Sequence, residues 1–238
     1  MKNRYLKGAH LSERKFKEIL KLFSEDLTAT QIASISGVSR VTVNSYLKKI
    51  RQQIARYCEL QQPADSTGKQ PVSNYHERQE HHEPRNGHDG AVTVKTEVSR
   101  AIKPIVFGIY RHADRLHTEI LPDVSRAMIH AIVRGRSVLE TLGTAERIRH
   151  FNNLVDLGHY RLYRLEHNTT SEGANGACTE DIDAFWGLTK HRLAKFKGLN
   201  RNTVYLHLKE CEFRYNHRNE ELYEVLLNLL KTHPLNLS

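Results

Sequence analysis

Apolar residues recur three and four positions apart through the first sixty residues. Phe16, Ile19, Leu20 and Phe23 follow Ser12 at i, i+3, i+4 and i+7 spacing, which predicts a capped amphipathic helix. The stretch L-T-A-T-Q-I-A-S-I-S-G-V-S-R-V-T-V-N-S-Y-L-K-K-I-R (27 to 51) predicts two more helices. Thr28 and Gln31 have capping-box spacing, Ile32 and Ala33 face inward, Gly37 supplies a tight turn and Ser39 caps the next helix. In that helix Val43, Leu47, Ile50 and Ile54 form the packing stripe. From residue 91 the pattern changes to short β-branched or alternating runs: A-V-T-V-K-T-E-V (91 to 98), P-I-V-F-G-I-Y (104 to 110) and L-H-T-E-I-L (116 to 121) predict a three-stranded meander. A helix opening at Ser125, strands at 137 to 142 and 160 to 165, and helices beginning near Thr179 and Asn202 follow. Leu222, Val225, Leu226, Leu229 and Leu230 mark a last amphipathic helix. The order predicts an α/β layer fold with a mixed sheet.

Between the two patterns, residues 61 to 90 contain Pro63, Pro71 and Pro84 and almost no aliphatic side chains. Such a segment buries too little apolar surface to offset its ordering entropy, so it reads as a polar linker. Its His76, His81, His82 and His88 match neither one helix face nor a zinc ribbon and are not read as a metal site. The expected organisation is therefore residues 1–60, a linker over 61–90, and a larger unit over 91–238.

Charge sharpens this division. The 238-residue chain has a formal charge of +9, and residues 1 to 60 hold 12 Lys and Arg against 5 Asp and Glu, so most of the excess lies in the first quarter. That favours an anionic partner, bound there. No apolar run is long enough for a membrane span and the charged first residues do not resemble a signal peptide, so no membrane partner and a cytoplasmic, nucleoid-associated location are expected. Cys58, Cys178 and Cys211 are widely separated and odd in number, which indicates neither a disulfide framework nor a zinc ribbon.

The turn, the caps and the charge together predict a helix-turn-helix that binds double-stranded DNA. Arg40, Thr42, Asn44, Ser45, Lys48, Lys49 and Arg51 are its candidate DNA-binding residues. Arg and Asn can each make two hydrogen bonds to a base edge, while lysines suit phosphates. The plainer alternative is a three-helix bundle with a basic surface.

Near the other end, D-I-D-A-F-W-G-L-T-K-H-R-L-A-K-F-K (181 to 197) places Ile182, Phe185, Trp186, Thr189, Leu193 and Phe196 on one helical stripe and Asp183 and Lys190 on its flank. Taken alone, Asp183 is a solvated acid on an amphipathic helix. Arg192, Lys195, Lys197 and Arg201 are either phosphate contacts or a solvated basic face.

The runs K-P-I-V-F-G-I-Y, H-T-E-I-L-P-D, L-V-D-L-G-H, I-D-A-F-W-G-L-T-K-H-R-L-A-K-F-K-G and Y-L-H-L-K-E-C-E-F-R-Y-N-H-R resemble a group of bacterial insertion-sequence DDE transposases related to the eukaryotic Merlin elements. The resemblance implies a helix-turn-helix that holds terminal inverted repeats, followed by an RNase H-like mixed-sheet domain that cuts and joins DNA, with a homo-oligomer on DNA. In such a domain two Mg²⁺ (or Mn²⁺) ions about 4 Å apart activate the attacking oxygen and stabilise the leaving one, and clustered carboxylates hold them.

The resemblance also exposes departures. Against the family motifs V-D-E-S, H-S-D-G-W and N-G-I-E-S-F-W, this chain has Lys95 in the first aspartate slot, Glu146 in the second, Asp183 for the helical glutamate and Glu180 for the asparagine. Lys190 keeps its place. A swapped carboxylate preserves a ligand but moves it by roughly 1 Å, a displacement that can cost on the order of 100-fold in rate. A lysine ammonium has no lone pair to offer and repels the cations. Glu97 shares the strand face of Lys95 and is the alternative ligand. The implied site is thus Glu146, Asp183 and Lys190 as catalytic residues, with Glu146, Asp183 and either Glu97 or Glu180 on Mg²⁺. Two functions follow: an insertion-sequence transposase with a degenerate catalytic triad, or a catalytically inactive, transposase-derived DNA-binding protein or regulator with no cofactor.

Overall fold

A computed structural model of the chain describes residues 3–8, 11–62, 105–121, 153–157, 161–164, 175–195 and 201–236. The expected strands at 91 to 98 and 137 to 142, the helix from Ser125 and all but the start of the linker lie outside the described residues, as do Lys95, Glu97 and Glu146.

The amino-terminal helices form where local chemistry starts and stops them. Ser12 accepts a hydrogen bond from Lys15 N and opens α1 (Glu13–Ser24). Thr28 and Gln31 make both bonds of a capping box at the start of α2 (Ala29–Ser36). Gly37 ends it at φ 68°, in the left-handed region that favours glycine, and Ser39 accepts from Thr42 N to open α3 (Arg40–Leu60). Phe16, Ile19, Leu20 and Phe23 of α1 bury against Ile32 and against Val43, Leu47, Ile50 and Ile54 of α3.

The β runs pair as antiparallel strands. β2 (Val106–His112) and β3 (Arg115–Leu121) form a hairpin closed by Ala113 and Asp114, both at positive φ, and the two-residue turn dictates antiparallel pairing. β4 (Asn153–Asp156) pairs with the other edge of β2, with Asp156 opposite Val106, and β5 (Arg161–Arg164) pairs with β4. The order is β3-β2-β4-β5. Parallel pairing is confined, among the described residues, to the short β1 (Leu6–Lys7) against β6 (Leu235–Asn236). No helix among the described residues is long and apolar enough to cross a membrane.

Three further helices complete the packing: α4 (Asn175–Ala194), α5 (Arg201–Asn216) and α6 (Leu222–Thr232). Ile182, Phe185 and Trp186 of α4 pack with Phe107, Ile109 and Val155 of the sheet and with Leu208, Cys211 and Tyr215 of α5. Phe185 and Trp186 are therefore core residues: Phe185 meets Tyr215 edge-on at 5.4 Å, and Trp186 is tilted over Phe107 at 5.9 Å. The apolar core of α1–α3 is completed by Phe213 of α5, Leu226, Leu229 and Leu230 of α6, and Leu235. Cys58 and Cys211 are buried, free thiols.

α5 joins the two cores through polar side chains. On its sheet side, Glu212 accepts hydrogen bonds from Thr118 N (2.9 Å), Thr118 Oγ1 (2.7 Å) and Lys209 Nζ (2.8 Å), while Lys209 Nζ also donates to Thr118 O. Asn216 takes both backbone groups of Leu116. Among the described residues β3 is an edge of the sheet; Leu116 and Thr118 lie two apart on it, so these side chains occupy backbone positions that another strand would otherwise fill. On its other side, fully buried Glu210 receives Arg51 Nε of α3 (2.7 Å), Arg192 Nη2 of α4 (2.8 Å) and Arg214 Nε (3.0 Å). Arg214 also donates to the carbonyls of Phe23 and Ser24 at the end of α1, and Arg192 to Asp26. Burial alone would raise the Glu210 carboxyl, but Arg192, Arg51 and Arg214 together hold it well below the usual carboxylate range.

Glu210→Gln, which leaves three guanidinium groups around a neutral amide, is expected to lower unfolding stability by about 3–5 kcal/mol in urea titrations. Burial and the neighbouring Arg51 push His207, 3.9 Å from Glu210, down to about 4. Its folded value lies below its unfolded one, so it costs nothing above pH ~6.5 and removes stability as pH falls from there toward 4. Glu210 acts in the same direction at lower pH, its contribution being lost as pH falls through its depressed folded value. The urea midpoint should therefore be flat between pH ~7 and 8, fall above pH ~8.5 where the Cys58 and Cys211 thiols, pushed up by burial, stay protonated only in the folded chain, and decline below pH ~6.5, where buried His117 acts in the same direction as His207. His207→Gln should flatten the upper part of that decline.

Candidate nucleic-acid interface and acidic helix

Residues 27 to 58 contain no Asp or Glu and five Lys and Arg. On α3 the packing stripe of Val43, Tyr46, Leu47 and Ile50 faces the core, which turns Asn44, Ser45 and Lys48 to solvent, with Arg40 exposed at the start of the helix. Lys49 is half-buried on the flank. Lys15 of α1 donates from Nζ to Ser36 O (2.8 Å), fixing the end of α2 beside the turn.

Two of the sequence-derived candidates have other employment. The Thr42 hydroxyl lies 2.8 Å from Ser39 Oγ and belongs to the helix cap. Arg51 does not reach the outer surface: its guanidinium is turned inward onto Glu210, with the side chain 12 % exposed, and stacks over Phe23. Arg51 is among the candidate DNA-binding residues read from the sequence, but a carboxylate 159 residues away decides where it points. Arg192 departs from both of its expectations, since it is a buried link between Asp26 and Glu210. Lys195 pairs with the same Asp26 at 3.1 Å but remains exposed. The Glu210 cluster was beyond sequence reasoning, apart from the i, i+4 spacing of Glu210 and Arg214.

Asp183 and Lys190 both lie on the exposed side of α4, as does Glu180, with Ile182, Phe185, Trp186, Thr189 and Leu193 turned to the core. Seven residues place Asp183 and Lys190 about 10 Å apart along the helix axis. Asp181, on the same helix, has a structural part: it holds Arg111 of β2 at 3.0 Å and accepts from the Tyr215 hydroxyl. Asp156, which sequence reading did not single out, is fully buried at the end of β4. Among the described residues no group of three or more His, Cys, Asp or Glu stands close enough to hold a metal ion.

The chain is 28% identical over 102 residues to an uncharacterized transposase-like protein of Haemophilus influenzae, an overlap of 43% of this chain and 81% of the relative. No protein-family model matches the chain. No solved structure matches it either. The similarity supports a transposase-related family.

Gly37 tests how tightly the turn between α2 and α3 is specified. A Cβ placed there meets nothing within 4 Å, so Gly37→Ala adds no clash and its cost is the left-handed backbone alone. The variant should lose about 1–2 kcal/mol in thermal or urea unfolding, and Gly37→Asn should lose less.

Proposed function

We propose that this transposase-related chain is a duplex-DNA-binding protein that uses α2, the Gly37 turn and α3 as a helix-turn-helix, with α3 tied to α5 through Arg51 and Glu210. The single observation that carries the reading is the outward face of α3, where Arg40, Asn44, Ser45 and Lys48 stand exposed within a stretch free of carboxylates. Exposed cations attract the phosphate backbone, and side-chain amides and guanidinium groups can read base edges in the major groove. Terminal inverted repeats are the expected duplex, and engaging two ends at once takes at least two copies of the chain.

A second reading, metal-dependent strand cleavage and transfer, is favoured by one observation: α4 exposes Asp183 with Lys190 two turns further on. Mg²⁺ or Mn²⁺ requires several oxygen ligands, so Asp183 would need Glu146 and a further carboxylate, Glu97 or Glu180, beside it. The described residues alone do not supply that set. Glu146 and Glu97 lie outside the described residues, so no catalytic step is assigned.

Full-length protein should bind terminal-repeat duplex in fluorescence anisotropy with an affinity that falls steeply as salt rises. Arg40→Ala or Asn44→Ala should weaken binding by about 1–3 kcal/mol without changing the unfolding temperature. Arg51→Ala should instead lower stability, because it breaks the ion pair to Glu210. Failure to bind duplex at low salt, or binding indifferent to Arg40→Ala, would overturn the proposal. Metal-dependent nicking of the same duplex that disappears in Glu146→Gln and Asp183→Ala would make the catalytic reading the correct one.

A further inference from the structure

The exposed face of α3 is headed by a residue that charge and hydrogen bonding do not explain. Val41, at the second position of the helix, is 81% exposed, the most exposed large apolar side chain among the described residues. Counting from it, Asn44, Ser45 and Lys48 fall at i+3, i+4 and i+7, so the four occupy one helical face, and all four are exposed. Arg40 precedes it and the Lys49 side chain flanks it. An isobutyl-sized side chain such as leucine would reach further, whereas valine keeps two methyl groups close to the helix backbone, and its β-branched χ1 is stiff. An apolar contact at the tip of a cationic, polar face fits the one apolar feature that the major groove offers, the C5-methyl group of thymine.

We infer that Val41 is a specificity-determining residue that packs its methyl groups on a thymine methyl, while Asn44, one turn on, is placed to take an adenine edge beside it. The inference rests on the DNA-binding reading above and goes beyond it by naming the base and the chemical group recognised. The partner is duplex DNA because the surrounding face carries cations and no carboxylate from residue 27 to residue 58.

The full-length chain is used to select from a random-sequence duplex library, and the enriched duplex is then synthesised with each thymine in turn replaced by uracil, which removes only the methyl group. At one thymine the replacement should weaken wild-type binding about fourfold, the worth of one buried methyl. Val41→Ser should bind the thymine duplex about as weakly as wild type binds the uracil duplex, and should not distinguish the two. Val41→Ile should retain the distinction. If no thymine-to-uracil change weakens wild-type binding, or if the penalty persists undiminished in Val41→Ser, the assignment of Val41 is wrong while the DNA-binding reading stands. If no duplex is enriched and none is bound, the DNA-binding reading itself has failed and this inference falls with it.

Discussion

A buried carboxylate that holds three arginines is the constraint on which the rest of this molecule depends. Glu210 lies at the meeting point of α1, α3, α4 and α5, and each arginine on it arrives from, or continues to, a different element. Taking one carboxylate out of water costs several kcal/mol, a cost offset only if its partners stay in place. The geometry therefore cannot loosen at one arginine without leaving the remaining charges badly matched. On the opposite side of the same helix, the Lys209–Glu212 pair and Asn216 do for edge strand β3 what Glu210 does for the helices. α5 is an internal frame whose charged residues are spent on structure.

This arrangement separates two kinds of basic residue that composition lumps together. Arg51, Arg192 and Arg214 contribute to the positive net charge yet are turned inward onto Glu210. Arg40 and Lys48 remain on the surface, on a helix whose axis is fixed by the inward-facing ones. The base-reading role proposed for that face needs such fixity, because misplacement of a side chain by a fraction of an ångström spoils a bidentate hydrogen bond. The structural arginine and the exposed face of α3 are thus parts of one design, although only the second faces outward.

The local features of the fold were legible in the sequence, and the long-range ones were not. Ser12, Thr28 with Gln31, Gly37 and Ser39 act on backbone groups two or three residues away, so their roles could be read from spacing, and the helices they bound form where expected. The β2–β3 hairpin and the strand at 161 to 164 were visible as β-rich runs. β4 was missed: N-L-V-D is too short to show an alternation, and it becomes a strand because β2 and β5 pair with both its edges. Arg51 and Arg192 were misread for a related reason. Their periodicity describes which way a helix face points, not which distant carboxylate it meets. In the candidate site, Asp183 and Lys190 are exposed on α4, while Lys95, Glu97 and Glu146 lie outside the described residues.

The pairing of Leu6 with Leu235, and the burial of Phe213, Leu226 and Leu230 against the first three helices, has a consequence for biosynthesis. A ribosome releases α2 and α3 early, when the side chains that complete their core have not yet been made. Contacts of such sequence separation form late and slowly. The exposed face of α3 is then positioned only in chains translated through to the last helix, and a prematurely terminated chain would carry Arg40, Asn44 and Lys48 without the frame that aims them.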